Sequence, residues 1–218
     1  MIQVEGIFAG GATKPYIEET YDSYGYLIDV KIHGYTKIRS FAFYNCYDLL
    51  LINLSDEIVS IGDSAFAGCH SLSLTSLPDG ITSIGYNAFC DCANLTLTSL
   101  PDGITSIGYE TFSNCTNLAL TSLPPGITSI GRSAFFACTN LTLTSLPSGI
   151  TSIGEAAFYG CTGITELTFM GTPTSISSYA FDGCENLTTI NVPWAEGAVA
   201  NAPWGATNAT IHYNYPGG

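Results

Sequence analysis

Apolar and polar positions alternate along this chain in a pattern that repeats every 23 residues. Each copy holds an isoleucine, a phenylalanine five residues later and a cysteine three residues after that, separated mainly by Ser, Thr, Gly and Asn. A fixed period in this range is typical of solenoids, in which each copy makes one coil and like side chains stack in files. The pattern therefore predicts about seven coils around seven core phenylalanines: Phe43, Phe66, Phe89, Phe112, Phe135, Phe158 and Phe181.

Within one copy, the pattern predicts two short strands separated by a turn. In the clearest copy, residues 95–100 form the first strand, and Pro101 ends it because proline cannot donate to a β-ladder. An Asp-Gly pair then supplies the turn, and residues 104–107 form a second, shorter strand. The stretch around Phe112 is expected to make a turn or a single helical turn that carries Phe and Cys into the core.

The two ends of the chain depart from the repeat and are expected to cap the open coils. Residues 16–32 alternate apolar and polar side chains around a turn-rich centre, which predicts a β-hairpin. After Pro193 the repeat phase is lost and the two tryptophans appear, which predicts a short helix or loop before a final strand at 209–215. We expect one continuous domain with three parts: an N-terminal segment and hairpin cap at 1–34, a solenoid at 35–193 and a C-terminal cap at 194–218.

The eight cysteines follow the repeat rather than a disulfide or metal-binding spacing. Seven share one repeat position and only Cys90 stands outside it, so the pattern favours a file of buried, reduced thiols about 4.8 Å apart. No Cys-x-x-Cys pair is present and the three histidines lie far apart, so we expect no metal and no cofactor.

Charge and composition exclude several classes of partner. The net charge is −13 with only five Lys and Arg, which argues against nucleic acid and against anionic membrane surfaces. No apolar run approaches 18 residues, so membrane insertion is not expected. No signal peptide is recognisable at the N-terminus, which leaves the localisation open.

No catalytic constellation emerges from the sequence. The carboxylates are scattered over turns, no serine sits in a Gly-x-Ser-x-Gly motif, and each histidine is isolated. We therefore expect a protein that is not an enzyme.

One leucine in each of the four central copies (Leu74, Leu97, Leu120 and Leu143) poses a question about which side of the coil it faces. In the outer copies the apolar residues fall three and five positions after the first leucine, whereas in the four central copies the middle one comes one position earlier. A shift of one residue reverses the face of a strand. Either the backbone bulges and keeps these leucines inside, or they form an exposed apolar stripe for a partner, which makes Leu97 and Leu120 candidate binding residues.

Aromatic residues outside the core position are the other candidates for binding a partner. Tyr86 and Tyr109 share one repeat position, while Phe136 and Tyr159 share another with Tyr44. Neither position belongs to the apolar set, so these rings are expected to be at least partly exposed. Exposed aromatics in neighbouring coils can form a binding hot spot, and partial burial against the adjoining coil is the alternative.

The repeat unit Cys-x-x-Leu…Pro-x-x-Ile-x-x-Ile-Gly-x-x-Ala-Phe-x-x-Cys resembles the BspA-type leucine-rich repeat over residues 35–193. The resemblance implies an α/β, β-rich, right-handed solenoid with a parallel sheet of short strands, and it brings no catalytic residues. It also implies a secreted or cell-surface adhesion or interaction module, which we expect to be a monomer that binds a protein or glycan on a host or cell surface. The alternative is a structural or receptor-binding segment of a larger surface or phage-tail assembly.

Overall fold

The computed structural model describes residues 4–5 and 16–216. Within these ranges the chain forms fifteen short strands and no helix, so the expected β-rich solenoid is present without the α part of the α/β class. The same residues contain no helix long and apolar enough to cross a membrane. The strands are β1 Val4–Glu5, β2 Tyr16–Tyr21, β3 Leu27–His33, β4 Lys37–Ile38, β5 Leu51–Asn53, β6 Ser60–Ile61, β7 Ser83–Ile84, β8 Ser106–Ile107, β9 Ser129–Ile130, β10 Ser145–Leu146, β11 Ser152–Ile153, β12 Glu166–Phe169, β13 Ser175–Ile176, β14 Thr189–Asn191 and β15 Thr210–His212.

Neighbouring coils pair through parallel strands in which each residue lies beside the one 23 positions later. Ile61 pairs with Ile84, and Ile130 pairs with Ile153. These strands form a row along one side of the solenoid, the Ser–Ile row, which consists of two four-stranded sheets in the orders β1-β4-β6-β7 and β13-β11-β9-β8. β1 is the exception in this row, since it pairs antiparallel with β4. The predicted stacking of the 23-residue copies is therefore confirmed.

A second row of strands, the leucine row, follows the first leucines of the coils. Its ends are regular: β2-β3-β5 form a sheet at the N-terminal end, and β10-β12-β14-β15 form a parallel sheet at the C-terminal end. Between these sheets, adjoining coils are joined by single backbone hydrogen bonds such as Thr96 N–H to Leu74 O at 3.2 Å and Ala119 N–H to Leu97 O at 3.1 Å. This irregular middle coincides with the copies in which the leucine comes one position early.

The core phenylalanines form one continuous stack through the interior. Their ring centroids are 5.0–5.6 Å apart from coil to coil, and the rings are nearly parallel, with interplanar angles of 1–12°. All seven are fully buried. The cysteine file lies beside this stack, and all eight cysteines are free thiols, with six of them buried and Cys46 and Cys90 half-buried. The predicted file of reduced thiols is thus confirmed apart from the partial exposure of Cys46.

The N-terminal hairpin has the predicted bounds to within one residue. β2 pairs antiparallel with β3, and β3 continues into the solenoid by pairing parallel with β5. Asp22 closes the turn because its carboxylate accepts the N–H groups of Tyr24 and Tyr26 at 2.8 and 2.9 Å. Val30 and Ile32 turn inward and join the core. Most of the segment before this hairpin lies outside the described residues.

The 23-residue phase is lost after Pro193, as expected, but the C-terminal segment still makes a further coil. This coil is one residue short at its turn and two residues short at β15, where Ile211 lies beside Ile190. Ala206 N–H bonds to Pro203 O at 2.9 Å, as Cys184 N–H bonds to Phe181 O at 3.2 Å, so equivalent positions lie 22 residues apart. The final strand is shorter than predicted, at Thr210–His212, and no helix precedes it. The boundaries at residues 34 and 193 stay a prediction.

Candidate functional site

The stretch around each core phenylalanine forms a long edge of the solenoid that we call the turn edge. It comprises, in each of the seven coils, the residues from three positions before the phenylalanine to two positions after it. In the fourth coil these are residues 109–114. Glu110 and Asn114 adopt left-handed backbone conformations with φ of 50° and 59°, which is incompatible with helix. Of the two expected conformations, the chain therefore adopts the turn.

Backbone hydrogen bonds fix the turn edge to the next coil. Every second N–H points along the solenoid, as for Glu110 to Arg132 O at 3.1 Å and Asn114 to Phe136 O at 2.7 Å. The bond from Phe112 N–H to Ala134 O, at 2.9 Å, lies between them. Because three bonds join successive coils here, side chains in adjoining coils are held at fixed spacing.

Four of the six predicted binding residues lie on the turn edge. Tyr86 is 61% exposed and Tyr109 is 40% exposed. Phe136 is half-buried and stacks on the exposed Tyr159, with ring centroids 4.7 Å apart and an interplanar angle of 7°. The predicted exposure of these rings is confirmed, and their role in binding remains a prediction.

Carboxylates lie between the aromatic rings and are held by amides of the adjoining coil. The Asn114 side-chain amide donates to Asp91 Oδ1 at 2.7 Å, and the Asn87 amide donates to Glu110 Oε2 at 3.4 Å. Glu110 also accepts a hydrogen bond from the neighbouring Tyr109, and this bond raises the pKa of Tyr109 because it favours the protonated phenol. The edge therefore presents rings next to fixed negative charge.

Cys90 sits in a hollow of the turn edge but is not poised for chemistry. Burial, followed by the charges of Asp91 and Glu110, raises the pKa of its thiol to about 12. A thiol with this pKa is protonated at neutral pH, and the thiolate is the nucleophilic form. Among the residues that the structure describes, no group of three or more His, Cys, Asp or Glu is placed to hold a metal ion.

The other two predicted binding residues, Leu97 and Leu120, are not surface residues. Both have 0% exposure and belong to the core, so of the two alternatives the inward orientation is confirmed, and neither leucine can be a surface binding residue. The neighbouring Thr98 and Thr121 face solvent instead. The inward orientation is favoured because burying a leucine side chain stabilises the folded state by about 1.5–3 kcal/mol relative to leaving it exposed.

Sequence reasoning missed two aromatic residues of the turn edge, Phe41 and Tyr179. Both are 61% exposed and share one repeat position, two residues before the core phenylalanine. Aligning the seven copies by their core phenylalanines would have shown a position occupied by polar residues, alanine and two aromatics, a variation that is untypical of a core site.

Known proteins resemble the chain in sequence pattern and in fold. Residues 36–148 and 130–198 match the BspA type leucine rich repeat region, in six copies. A leucine-rich repeat protein of T. pallidum has 27% sequence identity and a TM-score of 0.63, covering 78% of this chain and 87% of its own. A leucine-rich repeat protein from Bacteroides ovatus ATCC 8483 has 27% identity and a TM-score of 0.59, covering 84% of this chain and 47% of its own. Among curated proteins none matches. The family match extends over well more than half of the chain, which therefore belongs to the BspA-type leucine-rich repeat family.

Proposed function

We propose that the chain is a non-enzymatic interaction module that presents its turn edge to a protein or glycan partner at a cell surface. The observation that carries this proposal is the row of exposed rings on a backbone fixed by hydrogen bonds from coil to coil. Aromatic side chains dominate the energetics of protein interfaces, and a rigid surface loses little conformational freedom on binding. Leucine-rich repeats are solenoids, whose extended surfaces commonly bind partners.

Membership of this family favours a role in adhesion outside the cell. The surface is rich in Ser, Thr and Asn, and the net charge of −13 disfavours contact with nucleic acid and anionic lipid. A secreted or surface-attached monomer with this composition would remain soluble while its turn edge contacts a matrix protein or a mucin glycan.

Binding to an array of extracellular matrix proteins and mucin glycans tests the proposal. The double variant Tyr86→Ala/Tyr109→Ala removes two exposed rings from adjoining coils, and we expect it to lose binding at least about tenfold, since hot-spot residues typically contribute over 1 kcal/mol each. The matched control is Thr98→Ala/Thr121→Ala, which changes two exposed positions of the leucine row in adjoining coils. Equal loss of binding in the two variants would contradict the proposal. So would a parent chain that binds nothing on the array.

A structural role in a larger surface or phage-tail assembly is the second candidate. It is favoured by the polar ladders that brace the coils, in which the Asn117 amide donates to Asn94 Oδ1 and the Asn140 amide donates to Asn117 Oδ1, both at 3.3 Å. A solenoid braced in this way can act as a rigid spacer without any partner on its turn edge. Neighbouring genes that encode tail or surface-assembly proteins, together with no binding on the array, would favour this role.

A further inference from the structure

A pocket lies at the N-terminal end of the turn edge, between the hairpin and the first coil. Its volume is about 640 Å³, and its walls come from both elements. Three of the residues that line it are large aromatics with about half or more of their surface exposed. The lining includes Glu19, Tyr21, Leu27, Phe41, Tyr44 and Cys46.

The aromatic walls suit a positively charged group. Phe41 and Tyr44 stand edge to face, with centroids 5.6 Å apart and an interplanar angle of 80°, so their faces point in different directions. Tyr21 contributes a third ring from the hairpin. The face of an aromatic ring carries partial negative charge and attracts guanidinium and ammonium groups within about 6 Å.

A carboxylate completes the pocket. Glu19 Oε2 accepts a hydrogen bond from the Tyr21 hydroxyl at 2.5 Å, and this bond raises the pKa of Tyr21. The bond fixes the direction of the carboxylate. Within the described residues Glu19 Oε1 has no further hydrogen-bond donor, so it can accept one from a ligand.

The nearest lysine on the hairpin does not neutralise Glu19. Lys31 bonds to Glu18 at 3.1 Å, and successive residues of a strand point to opposite faces. Glu19 is paired with the buried Val30, which places it on the face turned toward the first coil. The pocket therefore keeps a negative charge in a chain whose net charge is −13, and this field attracts cations.

We propose that this pocket binds an arginine side chain of a protein partner. The guanidinium would lie against the rings of Phe41 and Tyr44 while it donates to Glu19. Arginine fits better than a neutral sugar because only a cation gains from both the carboxylate and the charge of the whole chain. The inference rests on the proposed function and deepens it, since it assigns the partner to proteins with exposed basic segments.

The test is a titration followed by NMR of the ring protons, with N-acetyl-arginine methylamide as the probe. Its neutral isostere N-acetyl-citrulline methylamide and methyl glucoside are the comparison ligands. We expect the arginine probe to shift the Phe41 and Tyr44 resonances at millimolar concentration, the citrulline probe to bind at least about threefold more weakly, and added salt to weaken the arginine probe alone.

Two matched variants separate the pocket from the general negative charge. Glu19→Gln removes the pocket carboxylate and is expected to weaken the arginine probe about two- to fivefold, as for exposed ion pairs. Glu18→Gln removes a carboxylate from the opposite face of the same strand and is expected to leave the affinity unchanged. Phe41→Ala is expected to weaken the probe, whereas Tyr24→Ala, at an exposed ring in the hairpin turn, is not.

Equal binding of arginine and citrulline, or equal effects of the two glutamate variants, would overturn the proposal. Stronger binding of methyl glucoside would overturn it in favour of a glycan. These outcomes differ from failure of the proposed function: array binding that depends on Tyr86 and Tyr109 can persist while the pocket fails to bind arginine. Conversely, a functional arginine pocket in a chain that finds no partner on the array would refute the broader proposal and leave the pocket in place.

Discussion

At the scale of single residues, the buried cysteines do more than fill space. Each of six thiols donates to the carbonyl of the core phenylalanine 26 residues earlier, as Cys115 does to Phe89 O at 3.0 Å and Cys138 to Phe112 O at 3.0 Å. That carbonyl also accepts the backbone N–H of the cysteine in its own coil, as Phe89 O does from Cys92 at 3.1 Å, so the thiol is a second donor to the same oxygen. A small side chain that is apolar and can also donate weakly therefore suits this position.

The thiol file makes stability depend on pH in the alkaline range. Burial raises the pKa of Cys115 far above its usual value, so the folded chain keeps this proton while the unfolded chain releases it above about pH 8.5. The unfolded state then binds fewer protons, and stability falls with rising pH by up to about 1.4 kcal/mol per pH unit for each such thiol. The contribution is thus complete below about pH 8.5 and is lost as pH rises above it.

We predict that Cys115→Ala is less stable than the parent by about 1–3 kcal/mol at pH 7, because it loses the hydrogen bond to Phe89 and leaves a small void. The difference should shrink as pH rises from 8.5 to 10.5, since only the parent loses stability when this thiol ionises in the unfolded state. Urea unfolding at several pH values measures it, with Ser99→Ala at an exposed position as the control. A difference that stays constant with pH would show that Cys115 ionises equally well in the folded chain.

At the scale of the strand, the leucine row shows how a one-residue shift is accommodated. Leu74, Leu97, Leu120 and Leu143 all turn inward, and the regular ladder gives way to single hydrogen bonds between coils. The leucines form a file of their own, so four successive copies share the same distortion. All four leucines belong to the hydrophobic core, so burial of their side chains offsets the hydrogen bonds that the irregular strand lacks.

We predict that Leu120→Ala destabilises the chain by about 2–5 kcal/mol, as do other truncations of fully buried leucines. Thr121→Ala, at the exposed neighbour, should change stability by less than about 0.5 kcal/mol. Denaturant unfolding followed by far-UV circular dichroism gives both values. Similar values for the two variants would mean that the side chain of Leu120 is not inside the coil.

The sequence predicted the fold where the pattern had a single physical solution. The period of 23 residues requires Phe89 to stack on Phe112, because a coil of any other length would break the apolar files. The period did not decide whether Leu97 points into the core or toward solvent. Strand alternation favours the solvent face, whereas burial of an apolar side chain favours the core. The C-terminal coil was missed because Pro203 and Ala206 stand where Phe and Cys are expected. At the surface, Tyr86 could be predicted from its repeat position, whereas the pocket depends on how the hairpin meets the first coil, which no local pattern reveals.

At the scale of the whole molecule, the solenoid has two ends of different construction, and the C-terminal one can be followed by fluorescence. Trp204 is fully buried, donates its indole N–H to Ala200 O at 2.7 Å and packs against Trp194, with centroids 6.3 Å apart. These are the chain's two tryptophans. In a solenoid each coil contacts mainly its neighbours, so an end can unfold by itself.

We predict that Trp204→Ala costs about 3–5 kcal/mol at this end and uncouples it from the remaining coils. The fluorescence of Trp194 should then change at a lower denaturant concentration than the far-UV circular dichroism signal. Tyr215→Ala, at an exposed ring of the same end, serves as the control. Coincident transitions in Trp204→Ala would show that the solenoid unfolds as one cooperative unit.

The constant register between coils has an evolutionary consequence. Residues 74–86 and 97–109 are identical, so neighbouring coils are interchangeable over this stretch. Gain or loss of one whole copy keeps every contact between residues 23 positions apart and changes the distance between hairpin and terminal coil by about 4.8 Å. Lineages can in this way adjust the reach of the molecule in uniform increments without redesigning either end.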